Sequence, residues 1–99
     1  MSTKTFSLRG IAFEWHIEKA AANQTKHGVD FETACQAFFD PFFLILDADL
    51  HSGERRQAVI GLTTAWRLLF VVFLERLDEI RVISARPATR LERCLYETQ

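Results

Sequence analysis

RQAVIGLTTAWRLLFVVFLERLDEIRVISA, residues 56–85, decides the fold. Arg56 to Leu62 is rich in branched apolar residues and reads as a strand. Thr63-Thr64-Ala65 makes a tight connection to Trp66–Leu74, the longest apolar run of the chain. A run that continuous predicts a central strand covered on both faces for part of its length. Leu77-Asp78 marks another turn before Ile80–Ala85. Upstream, Phe42 to Leu46 supplies a fourth strand, closed by the turn composition Asp47-Ala48-Asp49 and the loop His51-Ser52-Gly53. Four strands with short connections predict an antiparallel meander.

The flanks predict helices. Ile17 to His27 is helix-forming, and Gly28 follows where a left-handed residue ends a helix. Asp30 is placed to cap a second helix, in which Phe31, Ala34, Cys35 and Phe38 share one apolar face. Asp40-Pro41 stops it. Ala88 to Tyr96 reads as a third helix, with Pro87 tolerated at its first turn. Ile11–Trp15 is a short strand or extended entry, and residues 1–10 are a lead-in or a short edge strand. The expectation is a single α+β domain over 1–99, with the folded part spanning 11–97. Two N-terminal helices pack on a four-stranded antiparallel sheet, and a C-terminal helix follows.

Composition narrows the function. The chain has 99 residues, 48% of them hydrophobic and 25% charged, which suits an ordinary globular domain and argues against disorder. No apolar run reaches membrane-spanning length and the N-terminus has no signal-peptide centre, so a cytoplasmic protein is expected. Cys35 and Cys94 stand alone and read as small core residues in a reducing compartment. His16, His27 and His51 fall at no metal-binding spacing, and no glycine-rich phosphate loop or nucleophile elbow exists. No metal and no cofactor are expected.

Arginine is what remains. Residues 1–49 carry four bases against seven acids, residues 50–99 eight bases against six acids, and all eight of those bases are Arg. The planar guanidinium grips phosphate in a way that lysine does not. Arg56 and Arg76 sit at strand ends. Strand alternation puts Arg86 with Val82 and Ser84, Arg81 on the opposite face, and Arg67 with Leu69, Val71 and Phe73. Arg86, Arg90 and Arg93 follow at spacings that align on a helix. Such a group suits a phosphodiester attacked by its own 2′-hydroxyl, where phosphoryl charge is stabilised and protons are moved without a metal. His27 is able to move protons near neutral pH or to serve as a helix-terminal cation. The same arginines also fit ordinary surface ion pairs.

The residues resemble the BrnT toxin family. Phe13-Glu14-Trp15, Glu18-Lys19-Ala20, Asn23, Lys26-His27-Gly28-Val29, Phe31-Glu32, Ala34 and Phe39-Asp40-Pro41 look like its opening signature. Glu54 and Arg56 before Ile60-Gly61, then Arg67-Leu68-Leu69 and Val71-Val72, match its middle. Arg81 to Arg86, Ala88-Thr89-Arg90, Glu92-Arg93 and Tyr96-Glu97 match its close. The resemblance implies a RelE-like fold, an RNA-cleaving toxin that arrests translation, and a BrnA-type antitoxin that also represses the operon, binding operator DNA in a hetero-oligomer. It favours Arg56, Arg76, Arg81 and Arg86 on the active surface, supported by Lys26, His27 and Tyr96. The site expected is thus Arg56, Arg76, Arg86 and His27 as catalytic, with Lys26, Arg67, Arg81, Arg90 and Tyr96 on RNA. A non-catalytic module that docks an antitoxin or another partner is the alternative. A DNA-binding role of the chain's own has little support, because the net charge is −1 and no helix is uniformly basic.

Overall fold

Two left-handed corners organise the first third of the chain. Arg9 (φ 53°) and Gly10 (φ 87°) turn strand β1, Thr3–Leu8, back as β2, Ile11–His16. Gly28 (φ 69°) ends helix α1, Ile17–His27, as its composition predicts, its N–H bonding the Gln24 carbonyl. The computed structural model describes residues 2–51 and 53–99. Helix α2, Phe31–Cys35, passes into a 3₁₀ turn at Gln36–Phe39, where a single longer helix was expected. Asp30 stands at the N-cap position with extended backbone but without a side-chain capping bond. Strands β3 (Leu44–His51), β4 (Glu54–Leu62), β5 (Leu68–Glu75) and β6 (Ile80–Pro87) follow, then helix α3, Arg90–Glu97. Thr89 caps α3 with a reciprocal capping box to Glu92, so the helix begins at Arg90, two residues later than the expected start at Ala88.

The expected four-stranded antiparallel RelE-like meander gives way to a six-stranded mixed sheet, in the order β1-β2-β6-β5-β4-β3. The meander β3–β6 is present, but β2 docks parallel to β6 through Phe13↔Ile80 and Glu14↔Arg81, and β1 forms the far edge. Of the two readings open for residues 1–10, Thr3–Leu8 is the edge strand. β3 continues through the expected turn Asp47-Ala48-Asp49, with a shift of register after Asp47. Of the expected loop His51-Ser52-Gly53, Ser52 lies outside the described residues. β5 begins at Leu68, which leaves Trp66 and Arg67 in the connecting turn rather than on the strand.

Helices α1 and α2 with the 3₁₀ turn cover one sheet face. Phe13, Trp15, Val59, Leu69, Val71, Phe73, Val82 and Ala85 meet Val29, Phe31, Ala34 and Ala37 in the core. Trp15 and Phe31 cross edge to face at 5.7 Å between ring centroids. Cys35 is buried there, as read; Cys94 is exposed on α3, against expectation. Gly61 marks the tightest approach, because a Cβ on it would stand 2.3 Å from the Ala37 carbonyl oxygen. Two backbones meeting this closely leave the overlap no flexible side chain to absorb it. Gly61→Ala is therefore expected to lower the unfolding free energy by roughly 2–3 kcal/mol in urea titration. An unchanged midpoint would show that the 3₁₀ turn moves freely away from β4.

Candidate active site

The second sheet face carries the arginines, and a bulge in β6 puts them there. Phe70 faces Arg86, Val72 faces Ser84, Phe73 faces Val82 and Leu74 faces Arg81, with the register shift falling at Val72/Phe73. The extra residue, Ile83, reverses the alternation, so Arg81 joins Ser84 and Arg86 instead of opposing them. Strict alternation from the sequence had separated them. Glu14 lies beside Arg81 on β2, and Thr5 beside Glu14 on β1. On β4, Arg56 shares the face of Ala58, which pairs with Val72. Arg56, Leu74, Arg81 and Glu14 thus form one row across four strands, at about 4.8 Å per strand.

A buried carboxylate ends this row. Glu14 is 6% exposed. Its Oε2 accepts from Arg81 Nε at 3.1 Å, lies 3.1 Å from a second Arg81 nitrogen, and stands 3.7 Å from Arg76 Nε. Arg76 also reaches Glu54 at 3.9 Å. The third Arg81 nitrogen donates to His16 Nε2 at 2.8 Å. Arginine has no lone pair to offer, so that ring nitrogen accepts and the ring proton belongs on Nδ1. His16 Nδ1 and Arg56 Nε are buried with no hydrogen-bond partner among the described residues. The Glu79 carboxyl is held above its ordinary value by lost hydration, by a hydrogen bond shared with Glu14 and by the charge of Glu14. The cluster can hold an anion through guanidinium groups and pass a proton between neighbouring carboxyls.

The other candidates disperse. Arg86 forks onto Glu92 through two bonds of 2.8 Å and stacks on Phe70, 4.3 Å from the ring centroid. It thereby fastens α3 to the second face. Lys26 and His27 line a hollow of about 280 Å³ with Lys19 and Ser84, beside the bulge. Arg67 is exposed after the β4–β5 turn, and Arg90 is exposed at the start of α3. Tyr96 lies with Asp40, to which its hydroxyl donates; burial and that bond push the phenol up to about 12. Glu14, His16 and Glu79 were absent from the expected site. Their signal was a carboxylate and an imidazole two apart on a strand, legible only once β2 is known to adjoin β6.

Two carboxyls set the acid limit of the fold. Burial pushes Asp40 up, but bonds from Tyr96 and from the Leu62 and Phe42 amides outweigh it and leave the group below its usual value. The Arg86 fork holds Glu92 below its usual value against burial. Groups lowered in the folded state contribute stability above their unfolded values, near pH 4, and lose it as pH falls through the folded ones. Unfolding free energy is therefore expected to drop between pH 5 and pH 3, and less steeply in Asp40→Asn. Parallel curves for the two proteins would remove Asp40 from this account.

Residues 15–92 match the family model described as ribonuclease toxin, BrnT, of type II toxin–antitoxin system. The fold is similar to the crystal structure of the Brucella abortus ribonuclease toxin BrnT, with a TM-score of 0.51 and 26% identity, over 77% of this chain and 94% of that one. No curated protein matches the chain. By fold and sequence, then, this is a ribonuclease toxin of a type II toxin–antitoxin system. Within that class the chain belongs to the BrnT family.

Proposed function

We propose that the chain cleaves RNA without a metal, at the second sheet face, and arrests translation in the cytoplasm until a BrnA-type antitoxin neutralises it. The antitoxin would join it in a hetero-oligomer that binds operator DNA through the antitoxin. The observation that carries the catalytic part is the buried Glu14 carboxylate between Arg76 and Arg81. A charged cluster withdrawn from water is costly, and such clusters concentrate where chemistry is done.

In this reading Arg56, Arg76 and Arg81 stabilise the charge that develops on the phosphoryl oxygens. Glu14 takes the proton of the attacking 2′-hydroxyl, and Glu79, which keeps its proton to higher pH than a free glutamate, gives that proton to the leaving oxygen as the P–O bond breaks. Arg86 fixes α3 beside the site. Lys26 and His27, with Lys19, extend the phosphate track along α1, and Arg67 and Arg90 add outlying contacts. Tyr96 acts through Asp40, which anchors the turn after the 3₁₀ segment. The non-catalytic alternative has one observation in its favour: Arg81 and Arg86 are both already engaged by carboxylates.

Incubating purified chain with a single-stranded RNA in EDTA separates these readings. Cleavage is expected to persist in EDTA and to fall at least 100-fold in Glu14→Gln. Intact RNA with and without added divalent cation would sink the catalytic reading, and cleavage abolished by EDTA would sink metal independence alone.

A further inference from the structure

A second surface, away from the arginine row, gathers exposed apolar side chains beside an open strand edge. Among the described residues strand β3 is a sheet edge, paired to β4 only, with its outer side open for another strand. Beside it, Phe43 (44% exposed), Ile45 (41%) and Ile11 (41%) line a hollow of about 300 Å³ with Phe38 and Phe39. A second hollow, of about 420 Å³, adjoins it across Phe39 and is lined by Phe42 (69% exposed), Trp66 (81%) and Arg9. Most of the large apolar side chains exposed among the described residues therefore border one continuous band. A patch of this kind marks an interaction site more often than it marks chance.

The backbone singles out the same band. Arg9 (φ 53°) and Trp66 (φ 64°) are the non-glycine residues with positive φ among the described residues, and both line the larger hollow. Arg9-Gly10 is a two-residue hairpin turn with both φ positive, a place that favours Asn-Gly. Trp66 follows the Thr63–Ala65 turn at a left-handed position that glycine fills at least strain. Two large side chains are held in strained turn positions against local preference, at a cost of about 1 kcal/mol or more each. The turns do not need an indole or a guanidinium there; a ligand would.

The chemistry of the band fits one kind of ligand. Its walls are apolar. Asp40, at its floor, is already bonded to Tyr96 and to the Phe42 and Leu62 amides. Arg9 stacks on Phe39 at 5.3 Å and makes no ion pair among the described residues. Glu75 lies at the far rim of the smaller hollow. RNA would call for repeated cations along a phosphate track. An open strand edge, apolar hollows and one free cation instead suit an extended peptide with alternating apolar side chains and a carboxylate.

We propose that this band is the antitoxin's seat. An extended segment of the antitoxin pairs with the free edge of β3, lays apolar side chains into the hollows on either side of Phe39, and sets a carboxylate against Arg9. The proposal rests on the toxin–antitoxin reading above.

The test uses the whole chain and the purified product of the gene adjoining this one. Trp66→Gly removes the indole and relieves its backbone; Arg9→Asn removes the cation and supplies the turn's preferred residue. Both variants are expected to melt no lower than the wild type yet to bind that product at least tenfold more weakly. Leu77→Ser, at a side chain 99% exposed elsewhere, is expected to bind as the wild type does. Amide exchange at Leu44–Asp47 is expected to slow in the complex. Unchanged affinity in both variants, or protection confined to α3, would overturn the seat while leaving the antitoxin reading intact. Weakened binding of an RNA oligonucleotide, with the protein complex unaffected, would assign the band to RNA and overturn it too. Failure of the wild type to bind the product at all would refute the antitoxin reading, and the seat with it.

Discussion

Arg81→Ala is expected to slow RNA cleavage by roughly 100–1000-fold, the loss usual when a fixed donor to developing negative charge is removed. Arg81 does more than face the substrate. It holds Glu14 from two nitrogens and orients His16 with a third. Removing it leaves Glu14, 6% exposed, with Arg76 alone at 3.7 Å. Stability is therefore expected to fall as well, by about 3 kcal/mol if Glu14 stays charged. Arg81→Lys separates the two effects. It restores a charge to Glu14 but cannot span Glu14 and His16 together, so the fold should recover more than the rate. Single-turnover cleavage and urea unfolding on the same preparations give the comparison. Full activity in a folded Arg81→Ala protein would remove the row from the mechanism.

Asn23→Ala carries the second large effect, on stability. The side chain is 7% exposed and makes three bonds. Its amide nitrogen donates to the Val29 carbonyl at 2.9 Å and to the Ala85 carbonyl at 2.8 Å, and its oxygen accepts from the Ala85 amide at 3.1 Å. One residue thereby joins α1, the corner after Gly28, and β6 beyond its bulge. Alanine leaves three buried backbone groups without partners, and each such group costs about 1–3 kcal/mol. A loss of roughly 3–5 kcal/mol in urea titration is expected, a large share of the stability of a domain this size. A loss under about 1 kcal/mol would mean that water takes the vacated bonds and that Asn23 is no clamp.

These two residues mark where the sequence could and could not be read. The meander β3–β6 was legible because its turns are local, and apolar runs bounded by Thr63–Ala65 and Leu77-Asp78 speak for themselves. The corner at Gly28 was legible for the same reason. β1 was legible only as one of two readings, an edge strand or a lead-in, since Thr3, Thr5 and Ser7 alternate with a set that Lys4 interrupts. Lys4 belongs with Phe6 and Leu8 because it reaches Glu32 on α2, at 2.8 Å. The parallel union of β2 with β6 joins segments far apart along the chain, and neither segment names its partner. The candidate site was half visible. Arg56, Arg76 and Arg81 announced themselves by type and position. Their common face depended on one extra residue in β6, which no alternation pattern reveals, and Glu14 and His16 depended on the β2–β6 union.

That union has a consequence for the chain as it is being made. Glu14 and Arg81 are 67 residues apart in sequence. Glu14 leaves the ribosome well before Arg81 and waits for it. Contacts of such long range also form slowly, because the intervening chain must be ordered before they reward it. The row therefore closes only when the last strand slides in beside β2. In the mechanism proposed above the row is unarmed until that closure, and the interval before it is one in which a partner can meet the chain first.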